Sequence, residues 1–380
     1  MKTLALHGRV VMEDEVWDEG TVLLEGGTIA DVSRGYLEAD ETRDVKDCFL
    51  TPGFVDLQVN GAFGVDVIEH PGRLNELSAK LLTTGVTSYL PTLISLPLTR
   101  YPALLPEIRL ATGEGAEPLG LHLEGPFLNP AKKGAHPEEN ISAPDAGALE
   151  AMLDTASVRM VTLATEMPNA GELVEVAAGR GVVVSLGHSN ATFEEALDAL
   201  DSGVRSATHL FNAMSPMHHR DPGVPGAVLV HPGVVCGIIA DGRHVHPGMV
   251  QLAYEKLGAE RIYLVTDAMS AAGMGEGEYA LGDRRVSMKD GVPRLEDGTI
   301  AGSVLLMHEA LRNVMAFTGC TLPEAVRMAA TTPARLIGED GSKGRLSPGC
   351  DADVIALSPD LNVEMVWTKG ETAYDRRSSA

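Results

Sequence analysis

The 380-residue chain is short of positive charge, has few cysteines and contains no long apolar run. Each shortage excludes something. Lysine and arginine number 30 against 53 aspartates and glutamates, for a net charge of −23. A chain this acidic offers no general surface for nucleic acid, whose binding depends on Lys and Arg neutralising phosphates. An anionic small molecule would need a local pocket of positive charge. The four cysteines, Cys48, Cys236, Cys320 and Cys350, are scattered, and no CxxC spacing occurs. This argues against a thiolate zinc site or a disulfide framework and predicts free, buried thiols in a reducing compartment. No apolar stretch approaches the ~20 residues needed to span a bilayer. The N-terminal MKTLALHGRV holds only Leu4 to Leu6 as an apolar patch, too short for a signal-peptide core. The expectation is a cytoplasmic protein with no membrane partner. No tandem repeat or low-complexity tract breaks the sequence.

What is present is a hydrophobic content of 44%, enough for a large core. Both ends are rich in β signals. Thr21–Leu24 and Thr28–Val32 flank Glu25-Gly26-Gly27, and paired glycines suit a tight hairpin turn. Ala352–Leu357 and Val363–Thr368 are similar short segments. The two ends, 1–50 and 345–380, are expected to form one small β-sandwich domain. The middle, 51–344, alternates. Short, continuously apolar strands are predicted at Phe54–Val59, Thr87–Leu90, Leu119–Leu123, Val158–Leu163, Val182–Leu186, Ser206–His209, Val235–Ala240 and Ile262–Thr266. Helical patterns such as Arg73–Thr84, Gly171–Arg180, Thr192–Ser202 and Pro247–Lys256 lie between them. Strands that are apolar throughout are covered on both faces, and eight of them alternating with helices give an α/β fold, a (β/α)8 TIM-like barrel. A Gly- and charge-rich excursion, Ser270–Ile300, is expected as a hairpin beside the barrel mouth, before a closing helix at Val304–Thr318.

The first predicted strand shows one more absence. It reads PGFVDLQVNG, so Gln58 and Asn60 project together from its carboxyl end. Many metal-dependent hydrolases carry His-x-His there, and amides are poor transition-metal ligands. The remaining strand ends supply what is missing. HLEGP, SLGHS, ATHLFNAM and LVTDAMS place Glu124, His188, His209 and Asp267 at the carboxyl ends of strands three, five, six and eight, the face where barrel active sites form. A lone His after a strand is ordinarily a cap or a satisfied polar residue; four such residues on one rim point to chemistry. Two His and one Glu form a catalytic zinc set with an open position for water. A metal held there lowers the water pKa from ~15.7 to ~7. Asp267 then serves as general base and acid, or as a further ligand. His122, two residues deeper than Glu124, reads as buried support. Gln58 and Asn60 are left to hydrogen-bond a water or the substrate. One tightly held divalent ion is expected, with a weak second site open.

These residues lie in longer motifs: HLEGPFLNPAKKGAHP (122–137), GHSNAT (187–192), THLFNAMSPMHHRDPG (208–223), ADGRHVHP (240–247), LVTDAMSAAGM (264–274) and IAGS (300–303). In this order, over nearly the whole chain, the sequence resembles the amidohydrolase superfamily and, within it, the N-acetylglucosamine-6-phosphate deacetylase family. The resemblance implies hydrolysis of the acetamide of N-acetyl-D-glucosamine 6-phosphate to glucosamine 6-phosphate and acetate. It implies Glu124, His188 and His209 as ligands of one divalent ion, zinc in the first place, with iron, manganese or cobalt as alternatives. It also implies Asp267 as catalytic acid/base, and His136 as the contact to the acetamide oxygen. Ala135, Asn212, Ala213, Ala301, Gly302 and Ser303 match sugar-binding positions. Arg220 and His244 match phosphate contacts supplied by the neighbouring subunit, which implies a homodimer. Two readings compete. One is another amide hydrolase of the superfamily, D-aminoacylase-like or ring-opening, although strand four, VRMVTLATEMP, lacks the lysine that ring-openers use. The other is a non-catalytic scaffold, which the full set of ligands disfavours.

Overall fold

The structure, a computed structural model, describes residues 2–378 except 111, 112 and 114. The outermost positions of the expected terminal domain, 1, 379 and 380, therefore lie outside the described residues. Strands from both ends meet in one seven-stranded sheet. Glu41–Pro52 lies at its centre, parallel to Thr3–Val11 on one side and antiparallel to Val354–Leu357 on the other. In place of the two packed sheets of the expected sandwich, the terminal strands form this one continuous sheet, whose core includes Leu6, Val22, Leu50 and Trp367. Register irregularities around Gly8 interrupt both ladders of Thr3–Val11; bulges of this kind bend and twist a sheet. The Gly26–Gly27 turn, at φ 59° and 90°, then folds back so that Gly27 O accepts from Ala352 N at 2.9 Å.

The middle of the chain forms the barrel. Its strands are β1 (Phe54–Val59), β2 (Val86–Leu93), β3 (Leu121–Glu124), β4 (Val158–Leu163), β5 (Val183–Leu186), β6 (Ser206–Ala207), β7 (Val235–Ile238) and β8 (Ile262–Leu264). They are parallel neighbours in that order. Helices such as Ala170–Gly179, Phe193–Asp201 and Pro247–Leu257 cover the outside. Phe193–Asp201 starts at a capping box in which Thr192 and Glu195 satisfy each other's backbone N–H groups. Among the described residues, no helix is long and apolar enough to cross a membrane.

The seam between β1 and β8 is closed partly by a side chain. Asn60 N donates to Ala268 O at 2.9 Å. Deeper in the barrel, the Asp56 carboxylate accepts from Thr266 N at 3.3 Å, Thr266 Oγ1 at 2.5 Å and Gln58 N at 3.3 Å. The later strands are shorter than their apolar runs suggested because the chain turns at the functional residues themselves. His188, His209 and Asp267 have φ of 49°, 31° and 49°, a region non-glycine residues seldom occupy and one that concentrates at functional sites. Beside the mouth, the expected hairpin is a three-stranded antiparallel sheet, Gly277–Leu281, Arg284–Lys289 and Val292–Arg294. The helix after it spans Met307–Thr318.

Candidate metal centre and active site

Glu124, His188 and His209 come together as the strand pattern required. Each offers one ligand atom, and these atoms lie within 4.8 Å of one another. His188 Nε2 and His209 Nε2 are 3.2 and 3.0 Å from Glu124 Oε1, and 3.2 Å from each other. All three side chains are buried. His188 Nδ1 is 2.9 Å from the Lys132 carbonyl, which only accepts, so Nδ1 carries the ring proton and Nε2 faces inward with its lone pair. Gly134, at φ 55°, makes room for that ring, since a Cβ there would stand 3.1 Å from His188 Cε1. Two imidazole nitrogens and a carboxylate oxygen converging on one point fit a divalent cation in composition and orientation. Desolvation pushes the Glu124 carboxyl up, yet the neighbouring imidazoles, with His209 Nε2 at 3.0 Å, hold it well below the usual range. Burial lowers His209, and the bond to Glu124 outweighs it, leaving the ring raised.

The two amides at the end of β1 are held by carboxylates. Gln58 Nε2 donates to Glu124 Oε1 at 2.9 Å and to Asp267 Oδ1 at 3.0 Å, so both its N–H bonds are spent on carboxylates. Gln58 therefore supports the acidic groups from below and does not line the cavity. Asn60 Nδ2 donates to the same Asp267 Oδ1 at 2.8 Å, while its own Oδ1 is buried without a partner. Asn60 lines the cavity, so that oxygen remains available to accept from a bound group. Asp267 Oδ1 is thus held by two amide donors, and Oδ2 is left for chemistry. Burial and the nearby charge of Glu124 push this carboxyl up to about 7.

His136 stands across the cavity with Nε2 3.8 Å from Glu124 Oε2. Ser95 N donates to His136 Nδ1 at 3.1 Å, and Ser95 Oγ lies 2.8 Å from the same nitrogen. Nδ1 is therefore an acceptor, and the ring proton sits on Nε2, facing the site. Burial, then the neighbouring His188, push His136 down to about 3, so it is a neutral N–H donor. Ser95 carried no sequence signal beyond lying just after an apolar strand. His122 is structural support, its nitrogens 3.0 Å from Leu57 O and 2.8 Å from Thr162 Oγ1.

A cavity of about 260 Å³ opens over these groups. Ala135, Asn212, Ala213, Gly302 and His244 line it. Three expected contacts sit elsewhere. Ala301 and Ser303 flank Gly302 without lining this cavity; Ser303 N donates to Asp267 O at 2.8 Å, and Ala301 N to Pro293 O at 3.1 Å. Arg220 is on an exposed loop, bonded through Nη1 to His219 Nε2, and does not line this cavity. His244, expected to serve a neighbouring subunit, faces its own chain's cavity. The cause is Asp241, whose carboxylate accepts from Arg243 N and His244 N at 2.8 Å each and pairs with His244 Nδ1 at 2.6 Å, folding the 241–244 turn inward.

With barrel and site in place, the class follows. A profile of the Amidohydrolase family matches residues 49–373, and the chain belongs to that family. Within it, the chain is 38% identical to the N-acetylglucosamine-6-phosphate deacetylase of Homo sapiens, covering 97% of this chain and 93% of that one. It is likewise 38% identical to the N-acetylgalactosamine-6-phosphate deacetylase of Escherichia coli O157:H7, over 98% and 99% of the two chains. Among solved structures, a mutant N-acetyl-D-glucosamine-6-phosphate deacetylase from Mycobacterium smegmatis, in complex with N-acetyl-D-glucosamine-6-phosphate, superimposes with a TM-score of 0.92. It has 30% identity and covers 98% of this chain and 100% of that one.

Proposed function

We propose that this chain removes the acetyl group from an N-acetylated hexosamine 6-phosphate, N-acetyl-D-glucosamine 6-phosphate in the first place, releasing acetate and the free amine. The observation that carries the reading is the pairing of a Glu124–His188–His209 ligand set with an Asp267 whose Oδ1 is already held by two amide donors. A divalent cation bound by the ligand set supplies Lewis acidity to the acetyl carbonyl and makes water acidic at neutral pH. Zinc suits the two-His, one-carboxylate set, and iron, manganese and cobalt accept it as well. One ion per chain is the expected count, because Gln58 and Asn60 turn N–H groups toward the carboxylates where a second cation would need lone pairs.

Asp267 Oδ2 takes the proton from the attacking water and returns it to the departing sugar nitrogen. His136 Nε2–H donates to the oxygen of the acetyl group as negative charge develops there. The backbone at Ala135 and Gly302, with Asn212 and Ala213, grips the sugar. His244 serves the chain's own substrate, while the exposed Arg220 reaches the cavity of a second copy in a homodimer. Four unpaired, buried thiols support a cytoplasmic setting.

The test is acetate release from the 6-phosphates of N-acetylglucosamine and N-acetylgalactosamine and from the free sugars, with metal counted in the same sample. Turnover of a phosphorylated sugar with about one ion per chain supports the reading. A metal-loaded protein that releases acetate from neither phosphate overturns it, and equal turnover of the free sugars favours a different amide hydrolase of the family.

A further inference from the structure

Among the described residues, Arg243 is the only lysine or arginine that lines the catalytic cavity. It stands on the turn that also presents His244, both backbone N–H groups being fixed 2.8 Å from Asp241 Oδ1. Its guanidinium makes one hydrogen bond, Nη1 to the Asp290 carbonyl at 3.0 Å, at the tip between Arg284–Lys289 and Val292–Arg294. Gly291, at φ 69°, leaves room for it there; a Cβ would come within 3.1 Å of Nη2. No carboxylate pairs with Arg243 among the described residues, in a chain with 53 acidic side chains. Some other arginines are paired, Arg327 with Asp14 and Glu260, Arg335 with Glu260 and Arg100 with Asp283; Arg220, Arg261, Arg294 and Arg312 bond neutral groups as Arg243 does, but none of them lines the catalytic cavity. An unpaired guanidinium held open at a cavity wall, beside an imidazole, is equipped to take a planar, two-point grip on an anion.

We propose that Arg243 is a specificity-determining residue that recognises the anionic group of the substrate from the chain's own side of the cavity. It thereby selects sugar phosphates over neutral N-acetyl sugars. The proposal rests on the deacetylase reading above and adds to it a cation that the motif comparison did not supply. Arg220, the arginine expected in that role, does not line this cavity. Nη2 and Nε of Arg243 are the free donors, and the Asp290 tether restricts the guanidinium before the anion arrives, which lowers the ordering cost of binding.

The experiment compares wild type, R243Q, R243K and R220Q as metal-loaded enzymes, using N-acetylglucosamine with and without the 6-phosphate and inorganic phosphate as inhibitor. R243Q is expected to raise KM for the phosphorylated sugar by about 10–100-fold, the scale of a hydrogen bond to a charged group, with a much smaller change in kcat. The preference for phosphorylated over free sugar should shrink by a similar factor, phosphate should inhibit more weakly, and R243K should recover part of the loss. If R243Q leaves that preference unchanged, or if only R220Q moves it, the proposal is overturned. Equal losses on both sugars would make Arg243 a strut for the three-stranded sheet and would overturn it too. Failure of the underlying reading looks different: wild type would then release no acetate from the phosphorylated sugar.

Discussion

Two clusters of acidic side chains, one around a buried lysine and one at the barrel mouth, are neutralised in opposite ways. Where the terminal sheet meets the barrel, Lys343 Nζ is 2.7 Å from Asp351, 2.8 Å from Asp353 and 2.9 Å from Glu117, with only 4% of the lysine side chain exposed. The protein supplies its own cation there, and the cluster is complete. At the barrel mouth, Glu124 and Asp267 are buried, and their partners are imidazoles and amides, with no lysine or arginine bonded to them among the described residues. The positive charge is left to come from outside. Burying carboxylates without a fixed counter-charge is costly, so the mouth is held in a state that a divalent cation relieves. One cluster is built to stay shut and the other to bind.

The largest expected break in this contrast comes from removing a ligand. His209→Ala should leave the barrel folded but strip the bound metal, and acetate release should fall to background. Metal analysis alongside circular dichroism checks it; a variant that keeps both metal and turnover would remove His209 from the centre. Next comes Asp267→Asn, which keeps the ligand trio intact. Metal content should hold while kcat falls about 10²–10⁴-fold, the usual scale for loss of a general acid–base. A near-normal rate would assign the proton transfers to another group.

Much of this site was legible because barrel geometry converts sequence position into place. A polar residue just after an apolar strand must emerge at the mouth, so Glu124, His188, His209 and Asp267 declared themselves. Residues whose role depends on hydrogen-bond direction did not. The pattern showed Gln58 and Asn60 side by side on β1 but not that their N–H groups point at Asp267 and Glu124. Asp56 lies on the same face of β1 as Gln58, and that alternation was an available signal for a polar seam. Its partner, Thr266, is about two hundred residues away in sequence, and pairing at that distance leaves no local trace. The placement of His244 and Ser303 was hidden for a related reason: Asp241 holds the His244 ring, and the Thr266 carbonyl accepts from the Ser303 hydroxyl.

A third prediction sharpens the contrast from the structural side. Lys343→Met leaves the buried Asp353, and the partly exposed Glu117 and Asp351, around an apolar side chain. Removing the partner of a buried charge costs up to about 3–5 kcal/mol, less here because Glu117 and Asp351 are partly solvated, read as a lower urea midpoint. Turnover per folded molecule should be unchanged, because no group in this cluster lines the catalytic cavity. Loss of kcat at full stability would show that the two clusters are coupled rather than separate.

The smallest expected effect is a pH dependence of metal stabilisation. In the metal-free protein the Asp267 carboxyl is pushed up to about 7 by burial and by Glu124, against ~3.9 for an exposed aspartate. Between those values the folded chain holds a proton that the unfolded chain has released, so metal-free stability is lost as pH rises through that window. His209 acts in the same direction. Burial lowers it, but Glu124 leaves it raised, so its contribution is full below the unfolded histidine value near ~6.5 and is lost above it. Glu124 is depressed, and its contribution fades only on the acid side, below ~4.3. A divalent cation takes over the role of those protons, and its binding releases protons as pH-dependent sites do. Added zinc should therefore raise Tm more at pH 7.5 than at pH 5.5, at equal metal concentration, by differential scanning fluorimetry. An equal or larger rise at pH 5.5 would mean that the carboxylates at the mouth are already neutralised without the ion, and the contrast with the Lys343 cluster would disappear.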